Sequence, residues 1–137
     1  MFRSLKAPES NALPDTARLG PETPGKVMTI EFQLEGQDFL AINSEASFPF
    51  SPAVSLVVNC RDQAEIDTLW TKLAADPDDG QCGWVEDRFG LSWQIVTPEL
   101  SDMICDPNPV KSQRVMRAML QMKKLNLAEL RNAYSVT

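Results

Sequence analysis

Residues 79–96 read DGQCGWVEDRFGLSWQIV and gather the groups best suited to touch a small molecule. Cys82 offers a thiol, Trp84 an indole and Gln94 an amide. A thiol nucleophile needs an activating base, and histidine is the usual one. The chain contains no histidine. That excludes a Ser-His-Asp triad, a Cys-His pair, and any imidazole metal ligand or proton shuttle. A zinc site would need cysteines and carboxylates alone, and Cys60, Cys82 and Cys105 show no C-x-x-C spacing. Three scattered cysteines also make no disulfide framework, so they are expected as buried reduced thiols.

The elements that must position these groups are legible in outline. KVMTIEFQLEG alternates, with Met28, Ile30, Phe32 and Leu34 on one side and Thr29, Glu31 and Gln33 on the other. Glu35-Gly36 then turns the chain into a partner strand, QDFLAIN. Residues 10–26, rich in proline and glycine, read as an irregular connection with a short strand around Ala17–Leu19. Residues 44–52 form a loop carrying Phe48 and Phe50, and AVSLVVNC follows as an apolar strand.

Asp62 with Glu65 three residues on has the spacing of a capping box. Ile66, Leu69, Trp70 and Leu73 then mark one apolar helical face, and Asp76-Pro77 ends it. The opening stretch supplies the strand QCGWVED, the turn RFG and the strand LSWQIV. In the tail, Asn108-Pro109 starts a helix with a Val115, Met116, Met119, Leu120 stripe. Asn126 and Glu129 open a second helix, with Leu127 and Leu130 facing the core.

The fold class is α+β. A chain of 137 residues is expected to form one domain over 1–137. No apolar run reaches the ~20 residues that span a bilayer, and the N-terminus lacks a secretory h-region. A cytosolic, non-membrane protein is expected. A formal net charge of −6 argues against a nucleic-acid partner, and the basic residues of 111–124 read as the solvated face of a helix.

GKVMTIEFQLEGQDFLAIN, FPFSPAVSLVVNC, DGQCGWVEDRFGLSWQIV and SQRVMRAMLQMKKLNLAEL together resemble PhnB-like proteins. These belong to the glyoxalase/bleomycin-resistance/dioxygenase group, the vicinal oxygen chelate superfamily. The resemblance runs from about residue 18 to 134. It implies paired βαβββ modules, each curled into a U-shaped sheet, and a homodimer. It divides the chain into a partial first module (about 1–52), a second module (53–98) and a C-terminal helical tail (99–137). Relatives carry a first strand and helix before FRSLKAPES, so the first module is expected to be incomplete here. Its unpaired edge would favour pairing with a second chain.

Metal-dependent relatives hold a divalent ion on inward strands. Carried over by register, three of those positions fall on Ala41, Ala53 and Gln94, and one amide oxygen does not hold such an ion. No metal and no other cofactor is therefore expected. Strand alternation assigns Val54, Leu56 and Val58, with Leu91, Trp93 and Ile95, to faces packed under helices. It leaves Ser55, Ser92 and Gln94, and on the earlier strand Phe39, Ala41 and Asn43, on the opposite face. Aromatic walls with a few hydroxyls and amides compose a small-molecule pocket. The candidate ligand-binding set is Phe39, Asn43, Phe48, Phe50, Ser55, Trp84 and Gln94.

Each of these residues has a purely structural alternative. Asn43 caps a loop, Ser55 serves a backbone group, Gln94 bridges strands, Trp84 packs in the core, and Phe48 and Phe50 bury at a dimer interface. Some PhnB-like proteins carry the name 3-demethylubiquinone methyltransferase. No strand–GxGxG–helix segment is present here to hold S-adenosylmethionine. The functional expectation is a metal-free glyoxalase-like domain binding a small organic ligand in the cup of its sheet. The alternatives are an enzyme of the same fold, glyoxalase-type or the named methyltransferase, and an interaction protein without a ligand site.

Overall fold

The structure, a computed structural model, describes residues 17–19, 27–34, 36–43, 46 and 48–136. The chain divides into two compact units, residues 1–48 and 49–137. Its class is α+β, as expected, with two three-stranded sheets and four helices among the described residues.

In the first unit β1 (Ala17–Leu19), β2 (Val27–Leu34) and β3 (Gln37–Ile42) form an antiparallel meander in the order β1-β2-β3. The expected hairpin forms, with Ile30 opposite Ala41 and Phe32 opposite Phe39. Gly36 sits at φ +82°, a conformation open to glycine at little cost, and it closes the turn. The Glu35 half of that turn lies outside the described residues, as does most of the connection expected over 10–26. The two phenyl rings stack at 5.4 Å between centroids. Met28, Ile30 and Phe32 nonetheless stay exposed, as do Leu40 and Ile42 on the other face. No described side chain of this unit is buried.

The second unit holds the core. β4 (Ser55–Asn59), α1 (Gln63–Leu73), β5 (Trp84–Glu86) and β6 (Ser92–Val96) follow in chain order, and the sheet order is β4-β6-β5. β4 runs parallel to β6, a pairing that requires a crossover, and α1 supplies it. This β-α-β-β order is consistent with a glyoxalase-like fold.

The capping box forms in a modified way. Glu65 N–H donates to Asp62 Oδ1 at 2.9 Å, while the Glu65 carboxylate accepts from Arg61 N–H at 2.9 Å. Ile66, Leu69 and Trp70 are buried as the periodicity predicts, and Leu73 packs against them half-buried. Beneath them lie Val58, Val85, Trp93 and Ile95 of the sheet.

Several boundaries differ from expectation, each for a physical reason. The strand predicted from Gln81 is broken. Cys82 (φ +54°) and Gly83 (φ +85°) turn the chain, and Gln81 and Trp84 exchange backbone hydrogen bonds at 3.0 and 2.8 Å. Positive φ at both central residues is the pattern of a tight I′ hairpin turn, where asparagine usually precedes the glycine. Only Trp84–Glu86 then pairs with β6. Val54 precedes β4 in a turn closed by Val54 N–H to Ser51 O (3.1 Å), so it is exposed rather than packed under a helix.

The tail holds three helices rather than two: α2 (Pro98–Ile104), α3 (Pro109–Met119) and α4 (Leu127–Ser135). Asn108 and Asn126 cap α3 and α4 through their side chains, as expected. In the predicted α3 stripe Val115 is buried and Met116 and Met119 half-buried. Leu120 is exposed because the helix ends before it. Of the cysteines only Cys60 is buried; Cys82 is half-buried and Cys105 exposed at the end of α2. Burial, then the charges of Glu65 and Asp62, push the Cys60 thiol up to about 11.

Residues beyond β6 complete this core. Leu100, Met103, Val115, Met122, Leu125, Leu127 and Leu130 are all buried in it. The Gln63 side chain ties α1 to that tail. Its Nε2 donates to Leu125 O at 3.0 Å and its Oε1 accepts from Leu127 N–H at 2.8 Å. Cys82 and Gly83 N–H donate to Met122 O and Lys123 O at 2.7 and 2.8 Å.

Candidate functional site

The register of the second sheet decides which side chains share its open face. Val57, Gln94 and Trp84 form one cross-strand row, and Ser55, Ser92 and Glu86 the next. These residues alternate with Leu56, Val58, Val85, Trp93 and Ile95, so they occupy the face turned away from the core. Val57 is 55% exposed and Trp84 37%. Gln94 and Ser55 are half-buried, and Gln94 Nε2 donates to Ser55 Oγ at 2.8 Å. The pair brings together two positions 39 residues apart. An amide and a hydroxyl joined in this way still leave one amide atom and one hydroxyl function available for a ligand.

The hairpin that carries this face is rigidly held. Asp87 Oδ1 accepts from Phe89 N–H (2.8 Å) and Leu91 N–H (3.0 Å), and its Oδ2 accepts from Trp93 Nε1 (2.9 Å). Trp93 is thereby fixed against the core while its neighbour Gln94 points the other way. Asp87 was not among the expected residues. Its signal is an aspartate opening a four-residue turn that ends in glycine. Val57 was missed as well, although it shares the parity of Ser55. Gly80 lets Trp70 lie flat beside the hairpin, since a Cβ there would sit 2.4 Å from the indole.

The other expected residues are placed differently. Phe39 is half-buried against Phe32 in the first unit. Asn43 is exposed, and it bonds back across the strand pair: its N–H donates to Met28 O (2.7 Å) and its Nδ2 to Val27 O (3.1 Å). It closes the end of β3. Phe48 is 83% exposed and Phe50 also exposed, so neither packs into a core. Cys82 belongs to the turn described above. Among the described residues no three His, Cys, Asp or Glu side chains approach closely enough to share a metal ion, and no helix is long and apolar enough to cross a membrane.

With this geometry the comparison with known proteins can be read. The family described as 3-demethylubiquinone-9 3-methyltransferase matches residues 5–96, about two-thirds of the chain. The chain belongs to that family. The matched segment covers both sheets and α1 and ends on the last residue of β6, so every residue of the open face lies inside it. A search of curated proteins finds no match.

Proposed function

We propose that this member of the family is a metal-free glyoxalase-like domain, cytosolic and homodimeric, that binds a small organic ligand on the open face of its second sheet. The supporting observation is the row Val57–Gln94–Trp84 beside the Ser55–Gln94 hydrogen bond. An apolar wall with one aromatic ring and a pre-oriented amide–hydroxyl pair is the composition of a small-molecule site. Trp84 contributes flat contact area, and Gln94 and Ser55 orient a carbonyl or hydroxyl of the ligand. Phe48 and Phe50 are candidate covers for the bound molecule, and Phe39 and Asn43 candidate further contacts.

The family description names a methyl transfer. Here the β4–α1 junction reads Asn59-Cys60-Arg61-Asp62 and holds no glycine. The glycine-rich strand-to-helix loop of doubly wound folds therefore has no counterpart there. Binding without that chemistry is the better reading.

The test is a thermal-shift screen of small carboxylates, phenols and enones, followed by calorimetry on any hit. Trp84→Ala and Gln94→Leu should each weaken binding at least tenfold without lowering stability. Hits that bind both variants unchanged would remove the site. Tight binding of S-adenosylmethionine would restore the methyl-transfer reading. A stoichiometric divalent ion in purified protein would refute the metal-free assignment.

A further inference from the structure

The β5–β6 turn presents an exposed, rigid tip that the proposed ligand site does not use. Phe89 is 69% exposed and Arg88 is exposed, with its guanidinium carbon 4.6 Å from the Phe89 ring centroid. Beneath them the turn is pinned by the Asp87 carboxylate and by two backbone bonds of 2.9 Å, Asp87 N–H to Leu91 O and Gly90 N–H to Asp87 O. Among the described residues Arg88 makes no ion pair. A fixed arginine–aromatic tip loses little entropy on docking, and those two residue types dominate binding hot spots.

A surface of complementary chemistry lies on the first unit. A groove of about 540 Å³ runs along three successive cross-strand pairs of β2 and β3: Glu31–Leu40, Phe32–Phe39 and Gln33–Asp38. By alternation Glu31, Gln33, Asp38 and Leu40 share one face of the ribbon. Leu40 is 57% exposed, and Ile42 extends the apolar strip on that face. Gln33 Nε2 donates to Asp38 Oδ1 at 2.8 Å, which orients the carboxylate and leaves its second oxygen without a partner among the described residues. Among the described residues two carboxylates and no cation line the groove.

We propose that the Arg88–Phe89 tip of one copy docks into the Glu31–Asp38–Leu40 groove of a second copy, and reciprocally. The guanidinium meets the two carboxylates and the phenyl ring covers Leu40. Reciprocal exchange about a two-fold axis closes the pair and prevents open-ended growth. This assignment rests on the homodimer reading above and names the surfaces that form it.

Charge reversal tests it, read by sedimentation of the full chain across micromolar concentrations. Arg88→Glu alone and the Glu31→Lys/Asp38→Lys pair alone should each weaken dimerisation on the order of tenfold or more. All three positions are exposed, so circular dichroism should be unchanged. An equimolar mixture of the two variants should recover a heterodimer, because both of its contacts are again complementary. Wild-type dimerisation should also weaken as salt rises. Single variants that dimerise like the wild type would overturn the surfaces while leaving the dimer intact. A wild-type monomer would overturn the dimer reading itself. Recovery only when all three substitutions share one chain would place the contact within a chain and refute the exchange.

Discussion

The two sheets carry similar apolar residues and treat them in opposite ways. In β4-β6-β5 the core-facing side is sealed: Ile95 is fully buried, Val85 nearly so, and α1 lies over them. In β1-β2-β3 the same pattern of alternating apolar side chains leaves Met28, Ile30 and Phe32 exposed, with Leu40 and Ile42 exposed behind them. Fully burying such side chains stabilises by roughly 1.5–3 kcal/mol each, and the first sheet forgoes part of that. Strand alternation alone therefore does not make a core; a covering element must follow it in the chain. In the second unit the chain supplies four helices. The described part of the first supplies none.

The sharpest break of this contrast is a matched pair of truncations. Ile95→Ala should cost about 2–5 kcal/mol in urea unfolding. Ile30→Ala, at an exposed apolar position of the other sheet, should cost about 0.5 kcal/mol in a monomeric sample. Equal costs would mean that the first sheet is covered in solution. Next comes Gly80→Ala, which forces a methyl group against the Trp70 ring and should cost about 1–3 kcal/mol.

Asn126→Ala removes the side chain that caps α4 by accepting from Ala128 and Glu129 N–H. A loss of about 1 kcal/mol is expected, and a silent substitution would show that α4 does not need its cap. Cys82→Asn should be neutral or stabilising by about 0.4–1 kcal/mol, because asparagine tolerates the left-handed conformation better. Destabilisation would reveal a packing role for the thiol.

The smallest effect concerns pH. Tyr134 OH donates to Asp106, which holds the carboxyl below its usual value and the phenol above its own. The carboxyl's contribution is present above the unfolded-state value and fades as pH falls through the lower, folded one. The phenol's is present below its unfolded-state value and fades as pH rises through the higher, folded one. The link between α4 and the α2–α3 connection should thus be strongest across the neutral range. Tyr134→Phe should flatten the stability profile at both ends, and an unchanged profile would remove the pair from that role.

What could be read from the sequence were features written locally. Asp62 with Glu65, and Asn108 with Pro109, announce α1 and α3 because caps lie within four residues of what they cap. The β2–β3 hairpin was equally clear, since long alternation and a Glu-Gly turn agree. α2 was missed because its seven residues bury only Leu100 and Met103, too few to establish a period. The turn at Cys82-Gly83 was missed because cysteine carries no turn signal of its own. At the candidate site, parity placed Ser55 and Gln94 on one face. Their mutual hydrogen bond depends on the parallel register of β4 against β6, which no local pattern encodes. The bonds of Asn43 to Val27 and Met28 likewise cross the ribbon to β2, beyond the reach of a local pattern.

The two-point grip of Gln63 on Leu125 and Leu127 has a practical consequence. The family match ends at residue 96, yet α1 takes hydrogen-bond partners from about thirty residues further on. A fragment cut at the end of the match would leave both ends of that amide unmet and strip Val115, Leu125, Leu127 and Leu130 from around Ile95 and Trp70. The matched segment is therefore shorter than the stretch of chain that builds the core of the second unit. Expression of residues 1–96 should yield aggregate or an unfolded polypeptide, while 1–136 should behave as the whole.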